Sequence, residues 1–272
     1  MTGLLPDHIV LLGIDEPIMF SRLLSWVTPS KSNNKTPTIP VGQRLYVIGD
    51  IHGRHDLMQD LHRQIEVDGA TFTGDKFVVY LGDYVDRGHD SRDVIDELLS
   101  HPLTGFEQVF LKGNHEDALL NFLGDYRVAR DWFQFGGEAT VFSYGVAVPP
   151  GMRSDDKLKR IQNDLRAQIP RKHLDFFSSL RTFFEIGDYF CVHAGVHPGR
   201  ALHQQRDEDL IWIRGEFLQS KKDHGKIIIH GHSITDHPDE QLNRIGIDTG
   251  AYYSNRLTCL VLEGVDRRYL QT

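Results

Sequence analysis

Carboxylate, amide and imidazole side chains recur in this chain at the ends of apolar segments. The segment Gly82–Gly88 shows the pattern, because it follows the apolar run Phe77–Leu81 and carries two aspartates and an arginine. The run has the length and composition of a buried strand, and α/β sheets bind ligands at the carboxyl ends of their strands. Two carboxylates and an arginine so placed could bind a metal ion and the phosphate on which it acts. Taken alone, the segment is more typical of an acidic surface turn.

Four further segments repeat this arrangement of an apolar run followed by a polar side chain and a glycine. Together the five segments supply these oxygen and nitrogen donors: Asp50, His52, Asp83, Asn114, His193 and His232. The set contains no thiolate, so it suits a hard or borderline divalent ion such as manganese, iron or zinc. Asp83 lies in the middle of the set and could bridge two ions. Two ions about 3.5–4 Å apart form the usual clamp for displacement at phosphorus.

Five short motifs, in this order, resemble those of the phosphoprotein phosphatase family of calcineurin-like metallophosphoesterases, and most of all its bacterial and phage-type serine/threonine protein phosphatases. The motifs are Gly49–Gly53, Gly82–Gly88, Gly113–Glu116, His193–Gly195 and Gly231–Ser233. The resemblance spans most of the chain. It implies an α/β fold with two mixed β-sheets packed face to face and helices on the outside.

The resemblance also implies a role for each donor. A first metal ion would be held by Asp50, His52 and Asp83. A second would be held by Asp83, Asn114, His193 and His232. Manganese is the expected ion at both positions, with iron or zinc as alternatives. Water bound to such ions loses a proton near neutral pH, so a hydroxide bridging the two ions is the expected nucleophile.

Four further side chains complete the predicted chemistry. His115 is the expected general acid, because an alkoxide leaves poorly without a proton, and Asp86 would orient its imidazole. Arg87 would bind phosphate oxygens with its guanidinium fork. Arg214 stands where bacterial members of the family carry a second such arginine, although a surface arginine is the alternative interpretation. Asn114 is expected to contact the substrate as well as a metal ion.

Two polar residues near the predicted site have open interpretations. His230 stands two residues before His232, so both would face the same side of a strand. His230 could therefore replace His232 as a metal ligand or lie behind it, although the Gly231–Ser233 motif favours His232. Asp248 ends a strand near the site, where it could orient a ligand or only stabilise a turn.

Alternating strands and helices must position these side chains. Apolar residues at helical spacing predict helices after Gly53, from Ser91, which could cap its helix, and from Glu116. Strand, polar loop and helix thus alternate three times, which predicts an α/β core with parallel strands. The chain from Ile245 to Leu262 is predicted to return as antiparallel strands.

Composition changes divide the chain into segments. Residues 1–43 are predicted to form an N-terminal extension and linker before a metallophosphoesterase domain at residues 44–272. A short amphipathic helix at Phe20–Val27 could instead dock on a partner or a membrane surface. Residues 124–187 interrupt the alternation and are predicted to form a cap-like segment within the domain. The aromatic residues at Trp132–Phe135 could line a substrate pocket, although a small satellite core is the more ordinary interpretation.

Overall composition limits the classes of protein that fit. The 272 residues can bury one sizeable core, and the net charge of −8 argues against a nucleic-acid or anionic-membrane partner. The two cysteines lie in apolar runs, which predicts buried thiols rather than a disulfide. The apolar run Ile9–Ile14 is too short to span a bilayer and lacks the flanking charges of a signal peptide. We therefore expect a cytoplasmic protein without a transmembrane segment.

These patterns predict a two-metal phosphomonoesterase that hydrolyses phosphoserine and phosphothreonine in proteins. A symmetrical diadenosine polyphosphate hydrolase is the first alternative, because it shares the motifs and the aromatic residues near Trp132 could support a nucleobase. A phosphopeptide-binding protein without catalysis is the second alternative. Such a protein would lack a metal ligand, His115 or Asp86, and none of these is missing.

Overall fold

Two β-sheets form the centre of the computed structural model, which describes residues 36–148 and 154–272. The strands are β1 (Gln43–Ile48), β2 (Asp75–Tyr80), β3 (Glu107–Phe110), β4 (Phe183–Ile186), β5 (Tyr189–Val192), β6 (Ile227–His230), β7 (Asp239–Glu240), β8 (Arg244–Gly246), β9 (Thr258–Glu263) and β10 (Asp266–Gln271). The first sheet has the strand order β10-β9-β1-β2-β3, and the second has the order β4-β5-β6-β8-β7.

Helices connect these strands and cover the sheets. In the described part of the chain the α-helices are α1 (His55–Gly69), α2 (Ser91–Ser100), α3 (Asn114–Gly124), α4 (Ala129–Trp132), α5 (Gly137–Ser143), α6 (Asp155–Gln168), α7 (Arg171–Ser179), α8 (Asp207–Trp212), α9 (Gly215–Leu218) and α10 (Ala251–Ser254). Short 3-10 turns lie at Tyr126–Val128, Phe133–Phe135 and Leu202–Gln204. No helix among these residues is long and apolar enough to cross a membrane.

Both sheets are mixed, with a parallel group of strands inside each. In the first sheet β1, β2 and β3 are parallel, while β9 and β10 are antiparallel to their neighbours. In the second sheet β5, β6 and β8 are parallel, and β4 and β7 form antiparallel edges. The loops that follow parallel neighbours leave the sheet at the same edge, so the predicted motifs come together there. The predicted fold of two mixed sheets with flanking helices is confirmed.

The apolar core between the sheets follows from the alternation of side chains along each strand. In β1, Leu45 and Val47 face the second sheet, whereas Tyr46 and Ile48 belong to the apolar cluster on the helical side. From the second sheet, Cys191 and other buried side chains close the same layer. Period-two alternation therefore lets one strand serve two apolar layers, which fixes the register of the sheet.

Several predicted elements differ in detail from the structure. Ser91 begins α2 but does not cap it, because its hydroxyl accepts the N–H of Asp86 instead. The chain after Ile245 is only partly antiparallel, since β8 pairs in parallel with β6. Trp132 does not belong to a satellite core, because it packs into the same apolar cluster as the helices of the first sheet. Strands β4, β7 and β10 were not predicted.

The predicted N-terminal segments are described only from residue 36 onward. The end of the predicted linker packs against the domain, since Ile39 is buried and its N–H donates to the carbonyl oxygen of Gly264. The predicted helix at Phe20–Val27 lies outside the described residues. The division at residue 43 therefore stays a prediction.

Candidate active site

Five loops at the carboxyl ends of parallel strands carry the polar residues that the sequence singled out. The loops after β1, β2 and β3 come from the first sheet, and those after β5 and β6 come from the second. Their polar side chains are buried at this edge: Asp50, His52, Asp83, Asp86, Asn114, His115, His193 and His232. A group of buried ionisable side chains in one place is costly unless they neutralise each other or bind an ion.

The backbone is strained at several of these residues. Among the described residues other than glycine, positive φ angles occur at Asn255 and at five site residues: His52 (47°), Asp83 (53°), Asp86 (72°), Arg87 (68°) and His232 (61°). Such conformations cost on the order of 1–3 kcal/mol each and persist where the surrounding structure holds them. The turn at each residue directs its side chain away from the path that a continuing strand would give it.

This turn decides between the two interpretations of His230. The residue ends β6, and the positive φ of His232 breaks the strand pattern, so the two side chains do not share a face. The His230 ring packs edge-to-face on Phe217 at 5.1 Å between centroids, and its Nδ1 lies 3.0 Å from the carbonyl oxygen of Gly231. The structure therefore places His232, and not His230, among the converging donors.

Asp83 lies between two groups of potential metal ligands. Its Oδ2 is 3.5 Å from Nε2 of His52, and its Oδ1 is 3.4 Å from Nε2 of His193. The same His193 nitrogen is 2.9 Å from Oδ1 of Asn114 and 3.2 Å from Nδ1 of His232. The donors converge on both sides of one carboxylate, as two neighbouring ions would require.

The contacts of Asp50 and His115 differ from the predicted division of ligands between two metal ions. Both oxygens of Asp50 accept the backbone N–H of His232, at 3.0 and 3.2 Å. The Nε2 of His115 approaches Oδ2 of Asp83 at 3.8 Å, so His115 joins His52 and Asp83 in one potential ligand group. His115 thus lies within reach of the first group, although the sequence predicts a proton-transfer role for it.

The electrostatics of these donors fit a divalent cation. Burial lowers the pKa of His52 and lowers that of His232 to about 2, so both imidazoles are neutral near pH 7. The Nε2 atoms of both rings are buried without a hydrogen-bond partner among the described residues. Burial also raises the pKa of Asp50, with the nearby Asp248 and Asp83 carboxylates adding to the effect. Neutral imidazoles with a free nitrogen beside crowded carboxylates are what a divalent ion binds and neutralises.

Glycines allow the donor loops to approach each other. A Cβ atom on Gly113 would lie 2.1 Å from Oδ1 of Asp83, and one on Gly231 would lie 2.0 Å from Oδ1 of Asp50. Both distances are far shorter than any allowed contact. The glycines that mark the motifs in the sequence are therefore required by the packing of carboxylates against backbone.

His115 and Asp86 form a buried hydrogen-bonded pair. The Nδ1 of His115 lies 2.6 Å from Oδ2 of Asp86, which fits donation from the ring to the carboxylate. Burial lowers the pKa of His115, but the Asp83 and Asp86 carboxylates outweigh it, and the net pKa is raised above 6.5. The pair therefore favours the protonated imidazole that a general acid needs.

The Asp86 carboxylate is fixed by residues that the sequence did not indicate. Its Oδ2 accepts the indole N–H of Trp132 at 2.7 Å, and its Oδ1 accepts the hydroxyl of Thr140 at 2.5 Å. Both donors come from residues 124–187, so this segment supports the predicted proton donor from behind. No local sequence pattern connects these residues with a loop about 50 positions earlier.

Glu116 is a second functional residue that the sequence analysis did not recognise. Its buried carboxylate accepts the backbone N–H groups of Asp83, Tyr84 and Gly113 at 2.8 to 3.0 Å. It therefore ties the loop after β2 to the start of α3. A glutamate three residues after a helix N-cap is a known capping pattern, and it is the signal that could have indicated this role.

Two arginines lie at the mouth of the site. The Arg87 guanidinium stacks on the ring of Tyr252 at 4.7 Å, and its Nη2 lies 3.4 Å from Nε2 of His115. Arg214 donates from Nη1 to the carbonyl oxygen of His232 at 3.1 Å, which brings it to the second donor group.

Asp248, whose role the sequence left open, is a buried carboxylate beside Asp50. It accepts the N–H of Gly250, and burial raises its pKa to about 6.

Comparisons with known proteins agree with this geometry. The sequence model of the calcineurin-like phosphoesterases matches residues 43–257. Serine/threonine-protein phosphatase 2 of Escherichia coli is 28% identical over 232 residues, covering 79% of this chain and 91% of that protein. An asymmetrical bis(5′-nucleosyl)-tetraphosphatase of Anoxybacillus flavithermus is 25% identical over 232 residues, covering 79% and 88%.

A solved structure gives the same fold. Its protein, described provisionally as a diadenosine tetraphosphatase, superimposes with a TM-score of 0.54 at 21% sequence identity. The match covers 88% of this chain and 95% of that one.

The position of Asp83 leads to a prediction about metal binding. Asp83→Asn removes the negative charge shared by both donor groups, so we expect loss of bound divalent metal and a decrease in activity of more than about 100-fold. The control Asp156→Asn changes an exposed aspartate on α6 and should keep both. Metal content after dialysis and turnover are measured together, with and without a chelator. Full activity in protein shown to be metal-free would contradict the prediction.

Proposed function

This chain belongs to the calcineurin-like phosphoesterase family, a family of metal-dependent hydrolases, and from that premise we propose that it is a two-metal phosphomonoesterase acting on phosphoserine and phosphothreonine in proteins. The observation that carries the proposal is the group formed by His115, Asp86 and Arg87 beside the donors around Asp83. A proton donor and a phosphate-binding cation next to a potential metal centre are the parts that phosphoester hydrolysis needs.

Each described side chain has a definite task in this proposal. The donors around Asp83 would hold two divalent ions, with manganese as the proposed metal. Such ions, when bound, supply an activated water and positive charge for the phosphate oxygens. Arg87 and Arg214 bind the remaining phosphate oxygens at the mouth. His115 holds a proton at Nε2 for the leaving oxygen, while Asp86 accepts its Nδ1–H and keeps the ring oriented.

One feature of the site favours a phosphoprotein as the substrate, and two other observations favour a dinucleoside polyphosphate. A cavity of about 560 Å³ lies beside Trp212, and its walls carry the Asp207 and Glu208 carboxylates together with Asp117, which pairs with Lys112 in the same wall. Negative walls disfavour a polyphosphate chain, which favours a phosphoprotein as substrate. Hydrolysis of a dinucleoside polyphosphate is the second candidate, because exposed aromatic residues near the site could stack on a nucleobase and one relative is named for that activity.

A substrate panel tests the proposed function. The full chain with added Mn²⁺ is given phosphoserine, phosphothreonine and histidine-phosphate peptides and diadenosine tetraphosphate. We expect the highest kcat/KM with the phosphoserine or phosphothreonine peptide. A large preference for the dinucleotide over every phosphopeptide would overturn the choice of substrate. Absence of turnover on all of them in metal-loaded protein would favour the non-catalytic alternative.

The His115–Asp86 pair leads to a prediction about the leaving group. His115→Asn should keep both metal ions but lose about 10²–10⁴ in turnover of a phosphoserine peptide, because an alkoxide needs a proton to leave. The loss should shrink with para-nitrophenyl phosphate, whose phenolate leaves unaided. Asp86→Asn should follow the same trend more weakly.

Metal content and turnover on both substrates are measured for each variant. The matched control is His237→Asn, which changes an exposed histidine. Equal losses on the alkyl and aryl esters, or loss of a metal ion from His115→Asn, would show that His115 is not the general acid.

The two arginines lead to a prediction about phosphate binding. Arg87→Ala and Arg214→Ala should each weaken inhibition by inorganic phosphate about 10- to 100-fold, because each removes a charge-assisted hydrogen bond. Lysine at either position should restore only part of the affinity, since an ammonium lacks the guanidinium fork. Arg160→Ala, at an exposed position on α6, serves as control. If inorganic phosphate inhibits Arg214→Ala as strongly as it inhibits the wild type, Arg214 does not bind the phosphate and Arg87 binds it alone.

A further inference from the structure

The cation at the mouth of the site has an aromatic neighbour instead of an acidic one. The guanidinium carbon of Arg87 lies over the face of the Tyr252 ring, 4.7 Å from its centre. Among the described residues the guanidinium also approaches Nε2 of His115, at 3.4 Å between nitrogen atoms, and no carboxylate pairs with it. The described partner of this charge is therefore an uncharged ring.

An aromatic partner leaves the guanidinium of Arg87 available to a phosphate. The negative face of the Tyr252 ring attracts the cation but does not use up its N–H groups as a carboxylate would. A carboxylate partner would accept two of these N–H groups, neutralise the charge and repel an incoming phosphate. The contact with Tyr252 therefore orients the cation without competing with an anionic ligand.

The backbone on both sides of this contact is fixed. Arg87 has a positive φ of 68°, and its N–H donates to the carbonyl oxygen of Gly136 at 3.2 Å. Tyr252 lies on α10, whose first residue, Ala251, accepts a hydrogen bond from Nη1 of Arg54 at 2.9 Å. Two anchored segments thus bring the guanidinium and the ring together, and the long arginine side chain is the part that still has to be oriented.

The Tyr252 ring also contacts the first group of potential metal ligands. It meets the His52 ring edge-to-face, with 5.6 Å between centroids and 84° between planes. The Tyr252 side is open to solvent, since the residue is 36% exposed. One ring therefore lies between the phosphate-binding cation and a metal donor, where it can set the position of the first relative to the second.

We propose that Tyr252 is a positioning residue that holds the Arg87 guanidinium in place for the substrate phosphate. This inference rests on the proposed function, because it takes Arg87 as the cation that binds phosphate. Without the ring the arginine side chain would populate several conformations, and phosphate binding would have to order it. The ring thus raises phosphate affinity without contacting the phosphate.

Binding of inorganic phosphate tests this role independently of the substrate class. The full chain loaded with Mn²⁺ is titrated with inorganic phosphate in a calorimeter, and its metal content is measured. We expect Tyr252→Leu to weaken phosphate binding about three- to tenfold while metal content stays the same, because an oriented cation is lost. Tyr252→Phe keeps the ring face and should keep the affinity. The matched control is Tyr126→Leu, which removes the ring from another cation–aromatic pair, with Lys159 at 5.0 Å.

A double variant shows whether the ring acts through the arginine. In the Arg87→Ala background, Tyr252→Leu should cause no further loss of phosphate affinity, because the cation that the ring positions is already gone. An equal loss in both backgrounds would show that Tyr252 contacts the phosphate itself, which overturns the inference.

Other outcomes would also count against the positioning role. Wild-type affinity in Tyr252→Leu would show that Arg87 does not need the ring. Loss of a metal ion from Tyr252→Leu would assign the ring to the support of His52. Equal losses in the leucine and phenylalanine variants would assign the effect to the hydroxyl group.

Failure of the proposed function can be distinguished from failure of this inference. A preference for diadenosine tetraphosphate over every phosphopeptide would overturn the proposed substrate but leave the effect of Tyr252 on phosphate binding standing. Wild-type phosphate affinity in Arg87→Ala would overturn the phosphate-binding role of Arg87 and the positioning role of Tyr252 together.

Discussion

The site depends on holding the Asp83 carboxylate between imidazoles from both sheets. Burial raises the pKa of Asp83, but the neighbouring His115, whose own pKa is raised, acts against it, and the net pKa of Asp83 is lowered. Its backbone has a left-handed conformation, and its N–H donates to the buried Glu116. Its Oδ1 in turn accepts the N–H of His115 at 3.1 Å. The backbone conformation of Asp83 thus fixes the position of His115 and the place where the two donor groups meet.

The arrangement divides the work between two parts of the chain. The parallel strands and their loops supply the donors around Asp83, while residues 124–187 supply Trp132 and Thr140 behind Asp86. The first part would bind ions and phosphate, and the second orients the proton donor. The two parts also meet where Phe135, from residues 124–187, contacts Trp212 at the end of α8. Changes in residues 124–187 can therefore alter proton transfer without touching the donors around Asp83.

The sequence predicted the parts of the molecule that short segments encode. An apolar run followed by Asp or His and a glycine identified the donor loops, because strand, turn and ligand lie within a few residues of one another. It could not predict the support of Asp86 by Trp132, because that contact joins positions far apart in the chain. It left the role of His230 open and favoured His232, because strand alternation would place both on one face, and the positive φ at His232 could not be foreseen. The predicted helix cap at Ser91 is wrong because its hydroxyl accepts the backbone N–H of Asp86, a contact outside the helix.

The donor set has a consequence for stability, because its residues come from both sheets. Asp83 comes from the first sheet, whereas His193 and His232 come from the second. Apolar packing joins the layers beneath them, together with hydrogen bonds such as that from Nδ1 of His193 to the carbonyl oxygen of Leu81 at 2.9 Å. An ion bound by all three side chains would link the two sheets, and it would bind the assembled sheets but not the separated ones. Binding free energy of this kind adds directly to the free energy of unfolding. Sliding of the sheets, loss of the ion and loss of the reaction centre would then be one cooperative event.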